Sequence, residues 1–275
     1  MKIRSLILAS VAALTASVAA VPAAVAAPGN AVIFGDSYPS NPTMEDYLAQ
    51  KGAPIPSNNI NKLGCAVDPR FAGAYAAAAG GREVQNYSCA GASYSTGGWK
   101  MNDAANKAAE LGDLNAGTSE VVVMAGANDT YPYVINKPPL PVPQIQENLR
   151  NHMVDNVNHI RALAPNARIK IVGYPHLANA DDRVCLLNVV PGAPTPDPLV
   201  RIGELEWAVQ DAGMSAAQET GATFVDVKGI SNNHEMCSND RWVAGLVDFT
   251  SGPRNIALHM TNFGLGQVAD HIGRS

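Results

Sequence analysis

Ala31-Val32-Ile33-Phe34-Gly35-Asp36-Ser37 carries the reading of this chain. Four apolar residues run without a polar break, the pattern of a short strand buried on both faces. Gly35 then marks a turn, and Asp36-Ser37 follow where such a strand leaves its sheet. A serine there has a rigid support, an exposed Oγ and backbone N–H groups beside it, which a nucleophile needs. Read only locally, Asp36-Ser37 is also a helix cap or a turn.

Working outward, the same kind of run recurs. Strands are expected at Ala31–Phe34, Glu83–Tyr87, Val121–Ala125, Arg168–Gly173 and Thr223–Val227. Helical spacing lies between them. Ile145, Leu149, Met153, Val157 and Ile160 form one apolar stripe, and Leu199, Ile202, Leu205, Val209, Ala212 and Ala216 form another. Thr261 is placed to cap a last helix carrying Leu265, Val268 and Ile272. Strand–helix alternation argues for an α/β sandwich around a parallel sheet. Pro54–Gly64, Tyr131–Pro143 and the proline-rich Leu187–Pro198 read as loops, which in open α/β sheets rim the carboxyl ends of the strands or simply connect elements.

Met1–Arg4 is a short basic start, Ser5–Val25 is uncharged and rich in Ala, Val and Leu, and Ala24-Val25-Ala26 fits a small-x-small cleavage site. Residues 1–26 are therefore expected to be a secretory signal peptide cut after Ala26, leaving one domain over residues 27–275. The expected location is outside the cell or in the cell envelope. No later stretch is long and apolar enough to span a bilayer. Losing Lys2 and Arg4 leaves 17 basic against 24 acidic residues, a net charge of −7 with no basic cluster, which argues against a nucleic-acid partner.

Cys65, Cys89, Cys185 and Cys237 are an even set in an exported chain, which suggests two disulfides. Of the three connectivities, Cys65–Cys89 with Cys185–Cys237 is favoured, because each bridge closes a loop within one half of the chain. No C-x-x-C pair occurs, and His234-Glu235-Met236-Cys237 lacks the second histidine of a zinc-protease helix, so no metal is expected.

Two further strand ends carry chemistry. Val121–Ala125 runs into Gly126-Ala127-Asn128-Asp129, where the Asn128 amide can donate over the sheet edge. Gly91, in Ser88-Cys89-Ala90-Gly91-Ala92, lets a backbone N–H approach a ligand closely. Three parallel strands would bring the Ser37 N–H, the Gly91 N–H and the Asn128 amide to one place.

In order along the chain, Gly35-Asp36-Ser37, Gly91, Gly126-x-Asn128-Asp129 and a late histidine resemble the SGNH (GDSL) hydrolases, over essentially all of residues 27–275. The resemblance is nearest to the secreted actinobacterial esterase and lipase branch, through Asn233–Cys237 with Trp242-Val243 and through Gly173-Tyr174-Pro175-His176. It implies a three-layer α/β/α sandwich with a parallel sheet of about five strands. It also implies a serine ester hydrolase: Ser37 as nucleophile, and Ser37, Gly91 and Asn128 as oxyanion hole. The base is a histidine before the last helix, which here is His259. No cofactor is implied. The implied partner is an ester, either a lipid or an acyl or acetyl group on an envelope glycolipid or polysaccharide. A monomer is expected. A non-catalytic carbohydrate- or lipid-binding protein on a degenerate form of the same fold is the alternative.

The chain departs from the family at one position. Ile256 stands three residues before His259, where the family carries aspartate. A backbone carbonyl can still accept from Nδ1–H and fix the tautomer, as in the nearest branch. The Ile256 carbonyl is expected in that role, with Asp248 as the less favoured orienting group.

Overall fold

A computed structural model describes residues 29–131 and 139–275. The expected signal peptide and part of the Tyr131–Pro143 loop lie outside the described residues. Five strands form one parallel sheet: β1 (Ala31–Gly35), β2 (Val84–Ser88), β3 (Glu120–Met124), β4 (Arg168–Val172) and β6 (Thr223–Val225), in the order β2-β1-β3-β4-β6. β1 and β3 are buried along their whole length, as continuous apolar strands between two helical layers must be. The strand positions agree with the sequence reading to within two residues at each end.

The helices are α1 (Ser37–Ser40), α2 (Met44–Gln50), α3 (Pro69–Ala78), α4 (Met101–Glu110), α5 (Val142–Leu163), α6 (Gly203–Thr220), α7 (Val227–Ile230) and α8 (Asn262–Arg274). Successive residues of β4 show the two covered faces. Lys170 points toward α8 and donates from Nζ to the Ile272 carbonyl at 2.7 Å, whereas Ile171 packs on α6 at Gly213. α3 and α8 cover one face, and α4, α5 and α6 cover the other. This is the expected three-layer sandwich.

One helix begins differently from its sequence reading. α6 starts at Gly203, so Leu199 and Ile202 precede it, and Leu199 is 88 % exposed. α8 starts as read: the Thr261 side chain accepts from the Gly264 N–H at 3.1 Å. A separate two-stranded piece, β5 (Leu187–Asn188) with β7 (Val247–Asp248), lies between the disulfide Cys185–Cys237 and the segment leading to His259. The other bridge is Cys65–Cys89, so both pairs are those expected.

Register fixes where the strands end. Gly35 pairs with Ser88 on one side and Met124 on the other, so β1, β2 and β3 terminate level with one another. From β1 the chain crosses to one side for β2, and from β3 it crosses to the other for β4. The reversal between β1 and β3 is the switch point at which open α/β sheets form a crevice.

Candidate active site

Ser37 is the first residue of α1, two residues beyond β1. Gly35 has no room for a side chain: a Cβ there would lie 2.5 Å from the Met124 carbonyl oxygen and 2.4 Å from Pro39 Cγ. That close approach lets the chain turn sharply into α1. Asp36 is the N-cap and accepts from the Tyr38 N–H at 2.9 Å, so the cap reading of Asp36-Ser37 and the strand-end serine are one structure.

Gly91 sits in the turn after β2 with φ of +87°, a conformation glycine adopts without strain. Among the described residues, neither the Ser37 nor the Gly91 N–H donates to a protein acceptor. Asn128 lies in a single 3₁₀ turn, Ala127–Asp129, after β3. Its Nδ2 donates one hydrogen to the Ala92 carbonyl at 2.9 Å, which aims the amide and leaves its second hydrogen free. Asp129 ties this turn to the loop after Gly91, accepting from the Tyr94 N–H at 2.8 Å and the Ser95 N–H at 2.7 Å. The Thr96 hydroxyl adds a bond to the Asn128 carbonyl at 2.8 Å. The turns after β2 and β3 are therefore held as one unit.

His259 enters from the segment before α8. Its carbonyl accepts from the Ala244 N–H at 3.0 Å, and its ring centroid lies 5.4 Å from that of Tyr38, the residue after Ser37. The imidazole Nδ1 bonds the Ala257 carbonyl at 2.7 Å. This corrects the expectation of the Ile256 carbonyl. Leu258 has φ of +62°, left-handed for a bulky side chain, and the bend folds the carbonyl two residues upstream back to the ring. The Ile256 side chain is buried. Asp248 does not orient the ring either. It is fully buried in a bidentate pair with Arg241, both bonds 2.8 Å, and accepts from the Gly245 and Thr250 N–H groups. The Arg241 guanidinium and these N–H bonds outweigh burial and hold its carboxyl well below the usual carboxylate range.

The Nε2 of His259 is shielded from solvent and has no hydrogen-bond partner among the described residues. Burial pushes the imidazole pKa down, and the Ala257 carbonyl offsets part of that by favouring the protonated ring. The other loop histidines are engaged elsewhere. His234 stacks on Trp242 at 4.6 Å with Nδ1 near Asp240, and His176 Nδ1 lies 3.6 Å from Glu206.

Tyr174 is a site neighbour that spacing did not single out. It lies two residues past β4, and its hydroxyl donates to Asp36 Oδ2 and accepts from the Ala127 N–H at 3.2 Å. The Gly173-Tyr174-Pro175-His176 motif was the signal available for it. Tyr38 and Ala127, the residues flanking Ser37 and Asn128, also wall an almost wholly apolar cavity of about 170 Å³, completed by Tyr174, Leu177, Ile202 and Val209 among others.

An α/β/α sandwich with a serine, two turns bearing N–H donors and a carbonyl-braced histidine at one sheet edge defines a class of hydrolase-like folds. Within that class, the chain belongs to the GDSL-like Lipase/Acylhydrolase family, which matches residues 33–264. It is 32 % identical over 131 residues to Lipase 2 of Streptomyces coelicolor, an alignment covering 46 % of this chain and 42 % of that protein. The chain spans less than half the length of the curated relatives it matches. Its fold is similar to that of phospholipase A1 from Streptomyces albidoflavus (TM-score 0.55, 21 % identity, 90 % of this chain and 100 % of that one). The extracellular lipase of Streptomyces rimosus is similar to the same extent (TM-score 0.58, 17 % identity, 90 % and 100 %).

Proposed function

We propose that the chain is a secreted ester hydrolase that works through an acyl-enzyme on Ser37, with His259 as the base. One observation carries this reading. The ends of β1, β2 and β3 lie level and present Ser37, Gly91 and Asn128 at the switch point, with a carbonyl-braced His259 packed against the next residue, Tyr38.

His259 Nε2 takes the Ser37 hydroxyl proton as Oγ attacks the ester carbonyl carbon. The carbonyl oxygen gains the negative charge and receives the Ser37 N–H, the Gly91 N–H and the free hydrogen of Asn128. The tetrahedral intermediate collapses, the C–O bond to the alcohol breaks, and His259 returns its proton to the leaving oxygen. Water then attacks the acyl-enzyme with His259 again as base, and the acid departs. The unpartnered Nε2 makes its bond to Ser37 when substrate fills the site, since such bonds tighten in the reacting complex. A carbonyl carries no full charge, so it stabilises the imidazolium less than a buried carboxylate would. What it supplies is the tautomer, with hydrogen on Nδ1 and the lone pair on Nε2.

The apolar cavity beside Tyr38 and Ala127 takes the acyl chain. A cavity near 150 Å³ accommodates benzene, so about 170 Å³ suits an acyl group on the order of six carbons. Two disulfides support a site of action outside the reducing cytoplasm. Hydrolysis of short nitrophenyl esters by the wild type, and its loss in Ser37→Ala with unchanged circular dichroism, tests the reading. A Ser37→Ala protein as active as the wild type refutes it.

A further inference from the structure

Resting on the ester-hydrolase reading, we propose that Tyr174 is a positioning residue that sets the distance between the nucleophile Ser37 and the oxyanion donor Asn128. The phenolic oxygen makes two bonds, and each ends one residue before a member of the site. It donates to Asp36, which precedes Ser37, and accepts from the N–H of Ala127, which precedes Asn128. Asp36 passes the constraint on through its other oxygen, which accepts from the Tyr38 N–H at 2.9 Å and fixes the first turn of α1. The Tyr174 ring stands edge-on to the Tyr38 ring at 5.0 Å, and Tyr38 in turn lies against His259. Tyr174 is 5 % exposed and Asp36 1 %, so water does not replace either bond when it is lost.

The two turns need such a link. The turn after β2 is bound to that after β3 through Asp129 and Ala92, but the turn after β1 shares neither of those bonds. Beyond the sheet ladder, its backbone tie to β3 is the Asp36 N–H to the Met124 carbonyl at 3.1 Å, which stops short of Ala127. Tyr174 spans that remaining gap. An oxyanion donor works only if it already sits where the charge develops, and it contributes little to binding the neutral ester. The tether therefore acts on kcat.

Tyr174→Phe deletes the hydroxyl and keeps the ring. On a short ester it should lower kcat about ten- to hundredfold with KM nearly unchanged, the effect of a displaced catalytic group. In an Asn128→Ala background no amide remains to be displaced, and the same substitution should change kcat by no more than about twofold. Asp36→Ala removes the acceptor of the Tyr174 hydroxyl together with that of the Tyr38 N–H, and it should show the same kcat-against-KM split. It also serves as the test should Tyr174→Phe fail to fold. Wild-type kcat in a folded Tyr174→Phe or Asp36→Ala enzyme overturns the tether, and so does an equal fall of kcat with and without Asn128. A wild type that hydrolyses no ester and leaves Ser37 unlabelled by a fluorophosphonate overturns the underlying reading instead, a result obtained before any variant is made.

Discussion

His259 and Asp36 are displaced from ordinary titration in opposite directions, and each displacement is measurable. Burial lowers the imidazole pKa below its usual 6.5. The base acts when neutral, so kcat/KM should fall only as pH drops through that lowered value, and the acid limb should centre below pH 6.5. A limb centred above 6.5 contradicts the assignment. For Asp36, burial with the nearby Asp129 charge raises the carboxyl from 3.8 to about 7, against the bonds from Tyr174 and Tyr38. The folded protein thus holds this proton more tightly than the unfolded chain. Its stabilising effect is complete below about pH 4 and is lost as pH rises through 7, on the order of 4 kcal/mol in all. Asp36→Asn cannot ionise, so its melting temperature relative to wild type should rise steadily from pH 4 to 7. A constant difference over that range counts against a raised Asp36. Asp248 contributes with the opposite sign, because its depressed pKa gives stability that is lost in acid.

Among the elements, the strands were legible because β-branched runs buried on both faces leave little alternative, as Val121-Val122-Val123 illustrates. α3 and α4 were not. Pro69–Ala78 and Met101–Glu110 are built largely on alanine, whose small side chain gives a weak contrast between faces even where Ala104, Ala105 and Ala108 are fully buried. The stripe from Leu199 overshot α6 because Leu199 and Ile202 keep the apolar spacing without entering the helix. The positions of Ser37, Gly91 and Asn128 just past strand ends were legible because each lies within four residues of a strand. The carbonyl facing His259 was not, because it depends on the left-handed bend at Leu258, which spacing alone does not reveal. The Tyr174–Asp36 bond was hidden for another reason, since 138 positions separate its partners. The disulfides give the element-scale prediction. Cys185–Cys237 closes a 52-residue separation and Cys65–Cys89 one of 24, so removing the pairs should cost about 4 and about 3.5 kcal/mol respectively by chemical unfolding. The larger bridge braces β5 and β7, next to the segment that presents His259. Its removal should lower activity at temperatures where the fold survives, and a bridge-free enzyme with full activity and stability would contradict that bracing role.

For the whole molecule, topology explains why the chemistry stands where it does. A parallel sheet in the order β2-β1-β3-β4-β6 opens its crevice beside β1 and β3, and the residues beyond those strands meet there. On the proposed reading, the apolar cavity beside that crevice takes the acyl chain and so sets an acyl-length profile. Hydrolysis should be fastest with acyl groups of roughly four to eight carbons and fall at least tenfold by roughly sixteen. A preference for the longest chains would contradict the cavity assignment. The central claim is that Ser37 is acylated with His259 as base, and intact-protein and peptide mass spectrometry after reaction with a fluorophosphonate tests it most directly. The account predicts one adduct on wild type, located on Ser37, none on Ser37→Ala, and strongly slowed labelling of His259→Ala. An adduct on another residue, or an unlabelled wild type, would contradict it.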